Sequence, residues 1–184
     1  MTAMAYVDRA PLAAKAKQTD GAASEREGEI FRLAMRELAS GVALVTTGRG
    51  AHRTGCTATS LCSLSLDPPS LIVCMSLTSS TLPSIRVNRT FGVNILAGTD
   101  GELADRFAGR TGVKGAARFA EGDWTALVTG APLLRGALAC FDCRLEEALD
   151  RHTHALLIGR VTAVRRGAAA PALVHWRGQF AQFD

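Results

Sequence analysis

A chain of 184 residues that is 47% apolar and 21% charged has the size and composition of one globular domain with its own core, which excludes fibrous and intrinsically disordered classes. No apolar run approaches the ~20 residues of a membrane-spanning helix, and Asp8, Arg9, Lys15 and Lys17 interrupt the stretch where a secretory signal would lie, so the sequence reads as that of a cytoplasmic protein. The formal charge of +4 comes from arginines scattered among acidic residues, a pattern that predicts a solvated surface with a modest pull on anionic small molecules rather than a nucleic-acid face.

Residues 1–25 show no convincing period and read as a tail, which leaves 26–184 as the folded domain. Ile30, Phe31, Ala34, Met35 and Leu38 recur at helical spacing, with Glu27 and Glu29 in the first turn and Gly41 just past the end. From Gly41 onward, short apolar runs alternate with turn residues. "GVALVTTG" reads as a strand, and "TGCTATSLCSLS" as one further strand paired with it in a hairpin. Asp67-Pro68-Pro69 ends the pairing, because proline lacks an N–H and restrains the residue before it. "SLIVCMSL" is a third strand. A helix from Leu82 to Asn88, a strand "TFGVNILA" and a helix "GELADRFAGR" follow, and the glycine-rich stretch 109–122 reads as an exposed loop. Two strand-like segments broken at Gly130-Ala131-Pro132 come next, then one strand each in "HTHALLIGRVTAVRRG" and "ALVHWRGQFAQF". Many short strands with a few helices predict a mainly β fold: a closed antiparallel (split) β-barrel with Greek-key features and peripheral α-helices.

Five cysteines with no export signal read as reduced thiols. Cys140 and Cys143 have C-x-x-C spacing, but in a strand residues i and i+3 point to opposite faces, so the pair reads as buried structural thiols. His152 and His154 would share one strand face, with no third ligand nearby to make a metal site. No glycine-rich dinucleotide fingerprint, phosphate-binding loop or nucleophile elbow is present.

The unusual stretch is Gly55–Ser65. Read as one strand, it puts Thr57, Thr59, Leu61, Ser63 and Ser65 on one face. That face is nearly all hydroxyl, which suits either solvent or a ligand brought close to the backbone. A second cluster, Thr78-Ser79-Ser80-Thr81, precedes the helix at Leu82 and suits either an N-cap or a phosphate.

"GCTATSLCSLSLDPPSLIV", with "STLPSIRVNRTFGVNIL", "ELADRFAG", "GAPLLRGALACFDCRL", "HALLIGRV" and "PALVHWRGQF", resembles the short-chain flavin reductases, the reductase components of two-component flavin monooxygenases. The resemblance covers residues 29–184. It implies a flavin-binding split barrel, a homodimer, and hydride transfer from NADH or NADPH to FMN or FAD, with reduced flavin passing to a partner monooxygenase. It further implies that Thr57, Ala58, Thr59 and Ser60 lie along the isoalloxazine and that Ser63, Leu64 and Ser65 continue the pocket. Ser79, Ser80 and Thr81 would lie near the flavin phosphate, with His154 and Phe180 on the nicotinamide side. Where the family often has Gly-Asp before its histidine this chain has His152-Thr153, Phe180 replaces a tyrosine, and Asp100 stands where glutamine is common. Two other readings share the same barrel: a reductase that uses tightly held flavin to reduce another acceptor, and a flavin-binding protein without turnover.

Overall fold

The computed structural model describes residues 21–184, and most of the expected tail lies outside the described residues. The chain divides into two compact units, Met1–Met35 and Arg36–Asp184. In the first, helix α1 runs Gly21–Met35. It starts before the apolar period does, so the end of the expected tail is helical, and it stops short of Leu38.

In the second unit the strands are β1 (Ser40–Gly41), β2 (Ala43–Thr47), β3 (Thr54–Ala58), β4 (Leu61–Leu66), β5 (Pro69–Ser76), β6 (Thr90–Ile95), β7 (Trp124–Thr125), β8 (Leu133–Leu134), β9 (Ala139–Arg151), β10 (His154–Arg166), β11 (Ala172–Trp176) and β12 (Gln179–Phe183). Helix α2 (Leu82–Asn88) lies between β5 and β6, and α3 (Gly101–Phe107) follows β6. All ladders are antiparallel. The principal sheet has seven strands in the order β3-β2-β6-β9-β10-β5-β4; β1, β11 and β12 form a second sheet, and β7 pairs with β8. A mainly β antiparallel fold with a few helices is therefore what the sequence predicts. Closure into a barrel goes further than these ladders, since none joins the two edges β3 and β4 among the described residues.

Three expectations change. The single strand read from Thr54 to Ser65 is two strands with different partners: β3 pairs with β2, and β4 pairs with β5. The chain turns at Thr59-Ser60, so the common hydroxyl face ends there. The C-terminal stretch is a hairpin, because Arg177 and Gly178 adopt left-handed backbone (φ 49° and 85°), as a two-residue turn matched to strand twist requires. The stretch 109–122 is not simply exposed: Arg118 and Phe119 are buried, and Phe119 packs edge-on to Phe107 with ring centroids 5.0 Å apart.

Strand alternation divides the core in two. Val45, Val73, Phe91, Val93, Cys143, Leu145 and Leu157 pack together on one side of the sheet. Leu44, Leu96, Phe107, Phe119, Leu133 and Cys140 pack on the other. Cys140 and Cys143 thus face opposite clusters, as their spacing predicts, and burial pushes both thiols above their ordinary range.

On the second face, Thr46, Gly92 and Asp142 lie side by side on β2, β6 and β9, and the segment linking β7 to β9 is pinned across them. The Thr46 hydroxyl donates to the Pro132 carbonyl at 2.5 Å. Asn94 accepts from the Leu134 N–H at 2.7 Å and donates to the Leu44 carbonyl at 3.1 Å. The fully buried Asp142 carboxylate accepts from both the N–H and the hydroxyl of Thr129. Gly92 leaves room for this seating: a Cβ there would stand 2.7 Å from Leu133 Cδ2 and 2.9 Å from the Pro132 carbonyl oxygen. Because that carbonyl is hydrogen-bonded in place, Gly92→Val is expected to lower stability by about 1–3 kcal/mol. Urea unfolding followed by circular dichroism should show a reduced midpoint; an unchanged midpoint would mean that the segment is not held against the sheet.

Candidate active site

The turn at Thr59-Ser60 opens a cleft of about 280 Å³ lined by Cys56, Thr57, Ala58, Thr59, Ser60, Cys74, Met75, Ser76, Ser79 and His154. Three chain segments distant in sequence meet there: the end of β3 with its turn, the end of β5, and the start of β10. Pairing of β10 with β5 sets His154 opposite Ser76.

Strand β3 is an edge of the sheet, so half its peptide groups have no ladder partner. Gly55 turns its carbonyl outward, where Arg118 Nη1 donates to it at 2.6 Å. By alternation the Thr57 peptide groups also turn away from β2. The Thr57 hydroxyl is engaged elsewhere, donating to the Ala104 carbonyl of α3 at 2.6 Å. Thr57 therefore offers the cleft backbone more than hydroxyl. Ser60 fixes the turn against β5: its hydroxyl donates to the Cys74 carbonyl at 2.7 Å, and its own carbonyl accepts from the Cys74 N–H at 3.0 Å.

The second hydroxyl cluster folds into successive tight turns. Ser79 N–H donates to the Ser76 carbonyl at 3.0 Å, and the Ser79 hydroxyl accepts from the Thr81 N–H at 3.3 Å. Thr81 is fully buried, and its hydroxyl pairs with that of Thr54 at 3.1 Å. It makes no side-chain cap on α2, so its side chain serves neither alternative read from the sequence. Of this cluster only Ser79 lines the cleft; Ser80 is exposed.

Several expected site residues fall elsewhere. Ser63 and Ser65 line a separate apolar groove with Leu61, Leu66, Phe141 and Val164, because β4 turns away from β3 at the corner. Leu64 is exposed. Phe180 lies on β12, with the Arg110 guanidinium 5.3 Å from its ring centre and His175 at 5.7 Å, outside the cleft lining. His152 adopts φ 51° in the turn between β9 and β10, so the two histidines do not share a strand face. Asp100 accepts from the Ala97 N–H at 3.0 Å ahead of α3.

Cys56, Cys74, Met75 and Ser76 join the site without having been singled out. Cys74 and Ser76 alternate along β5, a signal visible only once that strand is paired with β10. No acidic side chain lines the cleft. The Cys56 thiol is pushed above its usual range, chiefly by burial, so it sits in the wall as a neutral group. His154 stands at the exposed rim with Nδ1 2.9 Å from the Thr153 hydroxyl. A planar ring with polar edges suits this cleft: small side chains allow it close to an open strand edge whose peptide groups can hydrogen-bond it.

Among the described residues no helix is long and apolar enough to cross a membrane. Residues 35–184 match the family described as flavin reductase like domain. The chain is 45% identical over 145 residues to "FMN reductase (NADH) RutF 2" of Methylorubrum extorquens, covering 79% of this chain and 83% of that one. It is 40% identical over 148 residues to "FMN reductase (NADH) RutF" of Stutzerimonas stutzeri, covering 80% and 84%. The fold superposes with a TM-score of 0.78 on BorF, the flavin reductase component of a bacterial two-component tryptophan halogenase, at 35% identity and with 85% and 98% of the two chains covered. A family match that spans residues 35–184, carried by both sequence and fold, means that this chain belongs to the flavin reductase like domain family.

Proposed function

We propose that this protein catalyses NADH-dependent reduction of FMN and releases the reduced flavin to a separate flavin-dependent oxygenase. The observation that carries this reading is the convergence of the open β3 edge, Ser79 and His154 on one cleft lined by no carboxylate, lysine or arginine. The relatives named for NADH-dependent FMN reduction support the choice of substrates, and BorF supports the two-component arrangement.

With both substrates bound, hydride passes from the reduced nicotinamide to the flavin ring. The protein's contribution is alignment. The outward peptide groups at Thr57 and the Thr59-Ser60 turn hold the ring edge, and the side chains of Ala58 and Ser60 are small enough to let it approach. Ser79 and the turn after it receive the phosphate end. His154, on the exposed rim beside Ser76, orients the nicotinamide through its ring nitrogens, since hydride transfer itself requires no protein base. A cleft of about 280 Å³ is at the small end for a pocket that encloses a whole ligand, which suits a flavin that comes and goes.

The same reading assigns the apolar groove to a homodimer contact. Leu66 at its mouth is 88% exposed and Val164 53%, and an apolar lining of this kind marks a protein contact. The curled principal sheet then corresponds to the split barrel of the family, with flavin near the subunit boundary and FAD as a second flavin it could accept.

Three measurements test this reading. Loss of reduced-nicotinamide absorbance should be fast and saturable in added FMN with NADH; flavin retained by the protein without such turnover would favour a carrier, and turnover independent of added flavin would favour a tightly bound cofactor. His154→Ala is expected to raise KM for NADH about tenfold, the loss of one hydrogen bond to a bound partner, with KM for FMN little changed; unchanged steady-state constants would remove His154 from the site. Leu66→Asp combined with Val164→Asp should convert dimer to monomer in analytical ultracentrifugation, whereas a wild-type chain that sediments as a monomer would end the dimer assignment.

A further inference from the structure

A second cleft, of about 600 Å³, lies where β2 ends and β6 begins, and its lining includes Arg49, His52, Asn88, Thr90 and Arg144 but none of the residues around the flavin cleft. No aspartate or glutamate lines it. Its basic side chains come from separate elements: Arg49 from the turn after β2 and Arg144 from β9, where it pairs with Thr90, while an imidazole, His52, comes from the short 3-10 turn Gly50–His52.

The position of Arg49 is built into the fold. Its Nη2 donates to the Thr129 carbonyl at 2.7 Å. Its guanidinium lies against Gly130, which adopts φ +83°, and a Cβ at that position would overlap it. Thr129 is in turn held through its N–H and hydroxyl by the fully buried Asp142 carboxylate. A buried anion thus fixes a loop, and the loop, through the Thr129 carbonyl, fixes a cation lining the cleft. The Arg144 side chain is exposed and makes no hydrogen bond or ion pair among the described residues, while its backbone is paired in the sheet. Two guanidinium groups lining one cleft with no acidic side chain favour an anion between them.

We propose that this cleft binds a phosphate-bearing small molecule, with Arg49 and Arg144 as its ligands and His52 at the rim. A phosphate offers several acceptor oxygens to guanidinium groups arriving from different directions, the geometry arginine serves best. Arg49 is exposed but already tied to the Thr129 carbonyl, so it loses less side-chain freedom on binding than a free arginine would. The neighbouring cleft, about 490 Å³, shares Gly48, Arg49, Val128 and Gly130 and adds Arg53 and Trp124, which leaves room for the rest of a molecule whose phosphate lies at Arg49.

The test is calorimetric titration of inorganic pyrophosphate into the full chain in phosphate-free buffer. Saturable binding is expected, weakened about tenfold or more by Arg144→Gln and by Arg49→Gln, the loss of a charged hydrogen bond, with NADH-dependent FMN reduction unchanged in Arg144→Gln. Because Arg144 is exposed and unpaired, its variant keeps the test open even where Arg49→Gln fails to fold. No binding at millimolar concentrations, binding unaffected by Arg144→Gln, or competitive displacement by FMN would each overturn the proposal. Pyrophosphate binding that follows Arg144 in a protein without reductase activity would support this site and sink the flavin reading alone.

Discussion

The principal sheet begins and ends on strands that are consecutive in the chain. β3 and β4 are its two edges, yet only Thr59 and Ser60 separate them, so the sheet must curl until its edges meet at that corner. The two-residue link here makes a corner rather than a hairpin, because β3 and β4 take different partners. The backbone turns, β3 stays with β2, and β4 leaves to pair with β5. The ladder fails at the corner, and there peptide groups are left free for something other than a strand. The cleft is a direct product of this constraint, and its small side chains follow from it, since bulk at Ala58 or Ser60 would fill the space the turn creates.

The opposite face is ordered by a different device. The segment from β7 to β9 contributes little regular structure, only the two-residue β8 among its ladders, and is held instead by polar groups at the sheet surface. Thr46, Asn94 and Asp142 each reach up to a backbone group of that segment. Burying a carboxylate and an amide is costly unless they are paired, and every buried side-chain nitrogen and oxygen among the described residues has a partner. The arrangement makes a loop as well defined as a strand. Arg49 then inherits its position from Asp142 through Thr129, which is how a core residue comes to shape a surface cleft.

Much of this was legible in the sequence, and the exceptions share a cause. The hairpin of β2 with β3, the bounds of α2 and the opposed faces of Cys140 and Cys143 all follow from local periodicity, which records burial directly. The corner at Thr59-Ser60 was hidden because hydroxyls continue with period two through it: Thr57, Thr59, Ser63 and Ser65 look like one face, although the first pair belongs to the cleft and the second to the groove. Thr81 misled for a similar reason, since a threonine before a helix looks like a cap and here its hydroxyl is spent on Thr54. Arg118 was missed because a glycine-rich stretch reads as exposed. Its burial depends on Phe119 packing against Phe107 and Trp124, a contact made only by the tertiary fold.

The two clefts differ in a way that bears on the proposed reaction. The cleft proposed for flavin presents backbone, hydroxyls and a neutral thiol, with one imidazole at the rim, and has no arginine or lysine in its lining. Neutral hydrogen bonds contribute only about 0.5–1.5 kcal/mol each, enough to align a ring but not to retain it. A guanidinium clamp in the same place would bind substrate and product alike and slow the departure of reduced flavin, gaining nothing for the hydride step because uniform binding does not lower its barrier. A reductase that hands its product to another protein is better served by the weaker set. The guanidinium groups of Arg49 and Arg144 stand instead in a separate cleft that shares no lining residue with this one, so an anion bound there, as proposed, would leave flavin release unaffected.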